Sequence, residues 1–173
     1  MNVLVVVDMQ NDFIDGTLGT KEAVAIVPRI VEKIKSFDGI VLSTRDTHGE
    51  DYLSTQEGKN LPVKHCIKGS EGWKIREEIA ELLKEEPIDK PTFGSRALGE
   101  KLLQLDREEK IDAVTFVGLC TDICVISNAM IAKAFLPEVP VFVDASCCAG
   151  VTVESHAQAL EAMKMCQIQI VSV

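Results

Sequence analysis

Residues 113–125, Ala-Val-Thr-Phe-Val-Gly-Leu-Cys-Thr-Asp-Ile-Cys-Val, contain a strand, a turn and the beginning of a helix. The apolar run 113–117 predicts a buried strand, which Gly118 ends. From Thr121 onward, apolar residues recur at three- and four-residue spacings, as is typical of an amphipathic helix. We expect Thr121 or Asp122 to cap this helix. A strand that leads directly into a helix is the repeating unit of α/β proteins.

Cys124 falls in the first turn of this predicted helix. Unpaired backbone N–H groups and the helix dipole favour negative charge there, so we expect a lowered pKa for the Cys124 thiol. A cysteine with a larger thiolate fraction is a candidate nucleophile. The alternative is that Cys124 is one more buried small apolar residue, which is common for a free cysteine.

The rest of the chain repeats the alternation of strand and helix. Strands are predicted at residues 3–7, 40–44, 87–90, 113–117, 139–144 and 168–173, and helices at 23–37, 73–83, 97–105, 121–135 and 153–165. This alternation predicts a six-stranded parallel sheet with helices on both faces. A long loop is expected from Gly49 to Gly72, and loops of this length in a compact domain are usually functional or disordered.

Composition and charge narrow the class of protein. A chain of 173 residues has the length of one domain, so we expect a single domain over residues 1–173. The net charge of −9 argues against a nucleic-acid partner, which requires a basic face. Without a membrane-length apolar run or a signal peptide, we expect a cytoplasmic protein with no membrane partner. The six cysteines form no Cys-x-x-Cys pair and are interpreted as free thiols.

Several polar residues follow predicted strands, at the edge where parallel α/β sheets carry their sites. Those expected to lie together are Asp8, Asp46, Lys90, Cys124 and Asp144. A nucleophilic cysteine needs a base, and we predict the carboxylate of Asp8 for that role. Lys90 nearby would keep the pair charged. Taken singly, each residue could instead solvate a loop or cap a helix, and Lys90 could be a surface lysine.

A second group combines Asp46 and His48 with the distant His65. One carboxylate and two histidines can hold a divalent metal ion with open positions for water or substrate, as catalytic sites do. A metal site that includes His65 would give the long loop before this residue a functional role. The alternative is that Asp46 and His48 only cap and solvate the loop. We expect the third histidine, His156, to lie at the surface of the last helix.

Four motifs together resemble those of the nicotinamidase/isochorismatase-like cysteine hydrolase superfamily. They are Asp8–Phe13 (Asp-x-Gln-x-Asp-Phe), Asp46–His48 with His65-Cys66, Lys90–Ser95, and Gly118–Val125 (Gly-x-x-Thr-Asp-x-Cys-Val). They occur in order over nearly the whole chain and most resemble the nicotinamidase branch. The resemblance implies an isochorismatase-like, Rossmann-like fold, a three-layer α/β/α sandwich around a six-stranded parallel sheet.

The reaction implied by the resemblance is hydrolysis of a small carboxamide, with nicotinamide as the leading substrate. Asp8, Lys90 and Cys124 would be catalytic. Asp8 would take the thiol proton and return it to departing ammonia, leaving a thioester for water to cleave. The family also has a cis peptide between Leu119 and Cys120. This bond would direct the N–H groups of Cys120 and Cys124 into an oxyanion hole.

The resemblance also assigns a metal site and a substrate pocket. Asp46, His48 and His65 would bind one divalent metal ion, zinc first, with iron and manganese as alternatives. In nicotinamidases this metal also receives the ring nitrogen of the substrate. The predicted substrate contacts are Phe13, Gln10 and Leu119. We expect a small-molecule amide as the partner, and a homo-oligomer.

The sequence departs from the family pattern ahead of His65. Nicotinamidases usually have an aromatic residue there, often Trp, whereas residues 60–64 are Asn-Leu-Pro-Val-Lys and the single tryptophan is Trp73. Another small amide or a carbamoyl compound is therefore an alternative substrate. The chain could also be a metal-free hydrolase, or a non-catalytic module on the same fold. The isochorismatase branch fits less well, because it lacks the metal triad.

Overall fold

Six parallel strands form one sheet, with the first strand of the chain near its middle. The computed structural model describes residues 1–172. The strands are β1 (Asn2–Val7), β2 (Ile40–Asp46), β3 (Ile88–Lys90), β4 (Ala113–Leu119), β5 (Val141–Ala149) and β6 (Gln169–Val171). Their order is β3-β2-β1-β4-β5-β6, and every neighbouring pair is parallel.

Helices cover both faces of this sheet, which confirms the three-layer α/β/α fold predicted from the sequence. They are α1 (Asn11–Ile14), α2 (Lys21–Ser36), α3 (Gln56–Asn60), α4 (Glu77–Ala80), α5 (Arg96–Glu108), α6 (Ile126–Phe135) and α7 (Val153–Met165). Val5 of β1 belongs to one apolar core with Leu102 of α5 and Leu160 of α7. Its neighbour Leu4 belongs to the opposite core with Ile30 of α2. Since successive side chains face opposite cores, β1 is apolar along its buried length.

The helix predicted over residues 73–83 is shorter in the structure. The Ile75 backbone pairs with Gln10 in an antiparallel bridge, and the Arg76 N–H donates to the Met9 carbonyl oxygen at 2.8 Å. These tertiary hydrogen bonds keep the chain extended where the apolar spacing predicts a helix. Helix α4 follows them and has only four residues.

The long loop predicted between residues 49 and 72 contains short helical segments. Residues Tyr52–Ser54 form a 3₁₀ turn, and α3 follows with Thr55 as its N-cap. At the other end of the chain, the sequence predicts a last strand over residues 168–173. Strand β6 ends at Val171, and residue 173 lies outside the described residues.

Among residues 1–172, no helix has the length and apolar character needed to cross a membrane. The single-domain organisation, the homo-oligomer, the cytoplasmic location and the exclusion of nucleic acid stay predictions.

Gly118 occupies a backbone conformation that other residues would strain. Its φ is +118°, and it lies beside Val7 where the pairing of β4 with β5 shifts register. A Cβ atom at this position would meet the Val7 carbonyl oxygen. Both constraints favour glycine at the end of the strand that leads to Cys124.

We predict that Gly118→Ala destabilises the fold by about 3 kcal/mol or more, through backbone strain and overpacking together. Gly69→Ala is the matched control, because Gly69 also has a positive φ (+86°) but nothing within 4 Å of an added Cβ. It should cost only about 1–2 kcal/mol. Urea unfolding of both variants measures the difference, and equal losses would refute the close approach to Val7.

Candidate active site and metal centre

The carboxyl ends of the adjacent strands β3, β2, β1 and β4 bring four of the five predicted polar residues together. The Lys90 Nζ atom lies 2.7 Å from Asp8 Oδ2, 3.3 Å from Asp46 Oδ1 and 3.4 Å from Cys124 Sγ. All four residues are buried. One ammonium group therefore contacts both carboxylates and the thiol.

Asp144, the fifth predicted member, lies elsewhere, so this prediction was wrong. It is inside β5, where Lys33 Nζ and Ser146 Oγ each donate to its carboxylate at 2.7 Å. The apolar run after residue 139 suggested a strand that ends at Asp144. In the structure β5 continues to Ala149, because it keeps pairing with β4 up to Leu119.

One hydrogen bond and one ion pair fix the Asp8 carboxylate. Thr44 Oγ1 donates to Oδ1 at 2.7 Å, and Lys90 contacts Oδ2. Asp8 also has a φ of +47°, a conformation that few non-glycine residues adopt. Burial raises the pKa of Asp8, opposed by Lys90. Burial alone would lower the pKa of Lys90, but the neighbouring Asp8, Cys124 and Asp46 raise it overall, which keeps the ammonium charged.

The Cys124 thiol has a raised pKa, contrary to the sequence prediction. Burial is the main cause, the Asp8 carboxylate adds to it, and Lys90 opposes it. The predicted helix-terminus effect does not overcome desolvation, because Cys124 is only 5% exposed. A protonated thiol needs a neighbouring base before it can react, and the Asp8 carboxylate is such a base.

The turn that carries Cys124 differs from the predicted capped helix. Residues Thr121–Val125 form a π-helical turn, and the Ile123 and Val125 N–H groups both donate to the Cys120 carbonyl oxygen. The peptide between Leu119 and Cys120 is cis, as the family resemblance implies.

The predicted capping residues instead contact the first turns of α7 and the segment that precedes it. Thr121 Oγ1 lies 2.8 Å from His156 Nδ1, and the Asp122 carboxylate accepts from the Val151 N–H at 3.1 Å. His156 is therefore half-buried against the turn that carries Cys124, whereas the sequence predicted a surface position.

The three predicted metal ligands are close together, and Glu57 joins them. The ligand atoms of Asp46, His48, Glu57 and His65 all lie within 4.8 Å of one another, and we refer to these four residues as the metal cluster. Asp46 Oδ2 is 2.8 Å from His48 Nε2, and Glu57 Oε1 is 3.6 and 3.7 Å from the two histidine Nε2 atoms. The Val63 carbonyl oxygen lies 2.8 Å from His65 Nδ1, which leaves Nε2 toward the cluster. Two imidazoles and two carboxylates in this arrangement fit a divalent metal ion.

Sequence reasoning missed Glu57. It lies in α3, inside the loop between His48 and His65, and no motif distinguishes it from the acidic neighbours Glu50 and Glu71. The one available signal was the unusual length of that loop. Burial raises the pKa of Glu57, while His48 opposes the shift.

Gln10 makes hydrogen bonds to the backbone of neighbouring segments, and its predicted role in binding substrate stays a prediction. It is fully buried; its Nε2 donates to the Asp46 and Trp73 carbonyl oxygens, and its Oε1 accepts from the Asp46 N–H at 2.7 Å. Trp73 also points away from the site, since its Nε1 donates to Thr47 Oγ1 and the Arg45 guanidinium lies 3.7 Å over its ring.

A cavity of about 320 Å³ adjoins Cys124 and the metal cluster. Both Phe13 and Leu119, which were predicted to contact substrate, line it, and most of its other walls are apolar. A larger open cleft of about 830 Å³ lies among charged surface residues around α4, but it contains none of the candidate catalytic or metal-binding residues. The smaller cavity is therefore the candidate substrate site.

Comparison with known proteins agrees with this geometry. The isochorismatase domain family matches residues 2–173. A nicotinamidase/pyrazinamidase of Mycobacterium tuberculosis is 28% identical over 187 residues, covering 99% of this chain and 98% of the relative. An uncharacterised isochorismatase family protein of Bacillus subtilis is 32% identical over 171 residues, or 91% of each chain. The crystal structure of the Pyrococcus horikoshii pyrazinamidase in complex with zinc has a TM-score of 0.81 at 27% identity, with 99% of each chain covered.

We predict that Glu57 strengthens metal binding. Glu57→Gln should weaken zinc affinity by about tenfold, and His48→Ala should abolish stoichiometric binding, in calorimetric titration of metal-stripped protein. Glu50→Gln is the matched control, because Glu50 lies in the same loop but is paired with Lys64 at the surface. Equal zinc affinity in the Glu57 and Glu50 variants would refute a role for Glu57.

Proposed function

The chain belongs to the isochorismatase family, and from this premise we propose that it hydrolyses a small carboxamide to an acid and ammonia. Nicotinamide is the leading substrate, because the similar proteins of M. tuberculosis and P. horikoshii are named a nicotinamidase/pyrazinamidase and a pyrazinamidase. These relatives are amidohydrolases, the enzyme class predicted from the sequence. The observation that carries the proposal is the Lys90 ammonium, which lies within 3.4 Å of atoms of Asp8, Asp46 and Cys124.

Cys124 is the nucleophile in this proposal, and Asp8 is its base. Asp8 takes the thiol proton as Sγ attacks the amide carbon and the C–S bond forms. Asp8 then gives that proton to the amide nitrogen, the C–N bond breaks, and ammonia leaves a thioester behind. A water molecule attacks the thioester while Asp8 accepts one of its protons. The C–S bond breaks, the acid departs, and the proton returns to Cys124.

Lys90 and the turn that carries Cys124 (residues 120–125, the nucleophile turn) stabilise charge during these steps. The Lys90 ammonium contacts both the base and the thiol, so it stabilises the thiolate while the proton is on Asp8. The backbone N–H groups of Cys120 and Cys124 are the proposed donors to the developing oxyanion. Both residues belong to the turn that follows β4, and both line the substrate cavity.

Asp46, His48, Glu57 and His65 are the proposed ligands of one divalent metal ion, with zinc as the leading candidate. A metal ion bound there would supply a Lewis acid for water or for a nitrogen of the substrate ring. Tyr52 packs against both histidines, with ring centroids 4.7 and 4.9 Å away, and so holds their imidazoles in place.

We predict that Asp8→Asn lowers kcat for nicotinamide by about 10²–10⁴-fold, because an amide cannot take the thiol proton. Ammonia release under saturating substrate measures the loss. Asp144→Asn is the matched control: Asp144 is also a buried carboxylate paired with a lysine, but it lies outside the site. It should lower stability while keeping kcat near the wild-type value. A near-normal kcat in folded Asp8→Asn protein would exclude Asp8 as the base.

A further inference from the structure

The opening of the substrate cavity is surrounded by exposed apolar side chains. Leu61, Phe93 and Val151 line the cavity and are 39%, 43% and 52% exposed, respectively. We propose that these three side chains form an apolar subsite for a substituent on the substrate. The preferred substrate is then an aromatic carboxamide that carries an alkyl group, rather than unsubstituted nicotinamide. This inference rests on the proposed function and specifies its substrate class.

The three side chains come from three separate segments of the chain. Leu61 follows α3, Phe93 follows β3, and Val151 precedes α7. Singly exposed apolar residues are ordinary on a protein surface, but apolar residues collected around one opening are typical of a ligand-binding groove. Their continuity with the cavity beside Cys124 points to the substrate itself as the molecule that covers them.

Hydrogen bonds to buried or site residues hold all three backbones in place. The buried Tyr52 hydroxyl donates to the Leu61 carbonyl oxygen at 3.0 Å. The Nδ2 group of Asn128, which is fully buried, donates to the Phe93 carbonyl oxygen at 3.1 Å. The Val151 N–H donates to Asp122 in the nucleophile turn. The backbone that carries the subsite is therefore fixed before a substituent binds, which lowers the ordering cost of binding.

The cavity also has room for more than a single ring. Its volume of about 320 Å³ falls within the roughly 300–1,000 Å³ of pockets for drug-sized ligands. Leu61 is the apolar wall ahead of His65, and an aliphatic side chain fills less space there than an indole. Trp73 cannot fill the space, since it is bound to Thr47 and stacked with Arg45.

The test compares nicotinamide with methyl-, ethyl- and propyl-nicotinamides substituted at each free ring carbon. With zinc-loaded wild-type protein, kcat/KM from ammonia release should rise by roughly three- to fourfold per buried methylene for at least one ring position. In Leu61→Ser and Val151→Ser protein, kcat/KM should no longer rise with the length of the alkyl group. In Leu61→Trp protein, kcat/KM should instead fall with alkyl length, because the indole occupies the subsite while the ring position of nicotinamide stays open.

Leu53→Ser and Val153→Ser are the matched controls, since both residues are exposed apolar side chains outside this cavity. They should keep the wild-type series. If nicotinamide is hydrolysed but kcat/KM stays constant or falls with alkyl length at every ring position, the subsite is overturned and the proposed function is retained. The subsite would also be overturned if Leu61→Ser changed the oligomeric state in light scattering but left the dependence of kcat/KM on alkyl length unchanged. The three exposed side chains would then be a contact between chains. Hydrolysis of no member by folded, zinc-loaded protein would overturn both proposals.

Discussion

The buried ammonium of Lys90 is the interaction on which the site depends. A charge that is only 1% exposed has to be paired, and Lys90 contacts two carboxylates and a thiol. Its contact with Asp8 serves the proposed proton transfer, and its contact with Asp46 reaches the metal cluster. Loss of Lys90 would leave two buried carboxylates without their shared counter-charge. The proposed nucleophile and the candidate metal ligands are thus electrostatically one site.

The strand order makes this cluster possible. Because β3, β2, β1 and β4 are neighbours and parallel, their carboxyl ends present Lys90, Asp46, Asp8 and the Cys124 turn at one edge. The segment after β1 then holds the loop of the candidate metal ligands in place. Gln10 binds both backbone groups of Asp46, and an Asp12 carboxylate oxygen accepts from the Cys66 N–H at 2.8 Å. The opening motif of the sequence therefore anchors the loop as well as supplying the proposed catalytic base.

The sequence was sufficient for features that depend on periodicity and strand ends. Buried apolar runs identified the sheet, and the residues after those runs identified Asp8, Asp46 and Lys90. The sequence was insufficient where tertiary contacts determine the local structure or the pKa of a side chain. The pairing of Ile75 with Gln10 overrides a helical pattern. Glu57 is brought to the metal cluster by the loop fold, and desolvation reverses the expected pKa shift of Cys124. None of these effects has a local sequence signal.

The most direct measurement of the central claim is ammonia release from nicotinamide by Cys124→Ala protein beside Cys147→Ala protein. Both substitutions remove a buried thiol, but Cys147 lies in β5 and outside the cavity beside Cys124. If Cys124 is the nucleophile, its variant should lose turnover by more than about 10⁴-fold, whereas the Cys147 variant keeps it. A Cys124→Ala protein that is folded and releases ammonia near the wild-type rate would contradict the account.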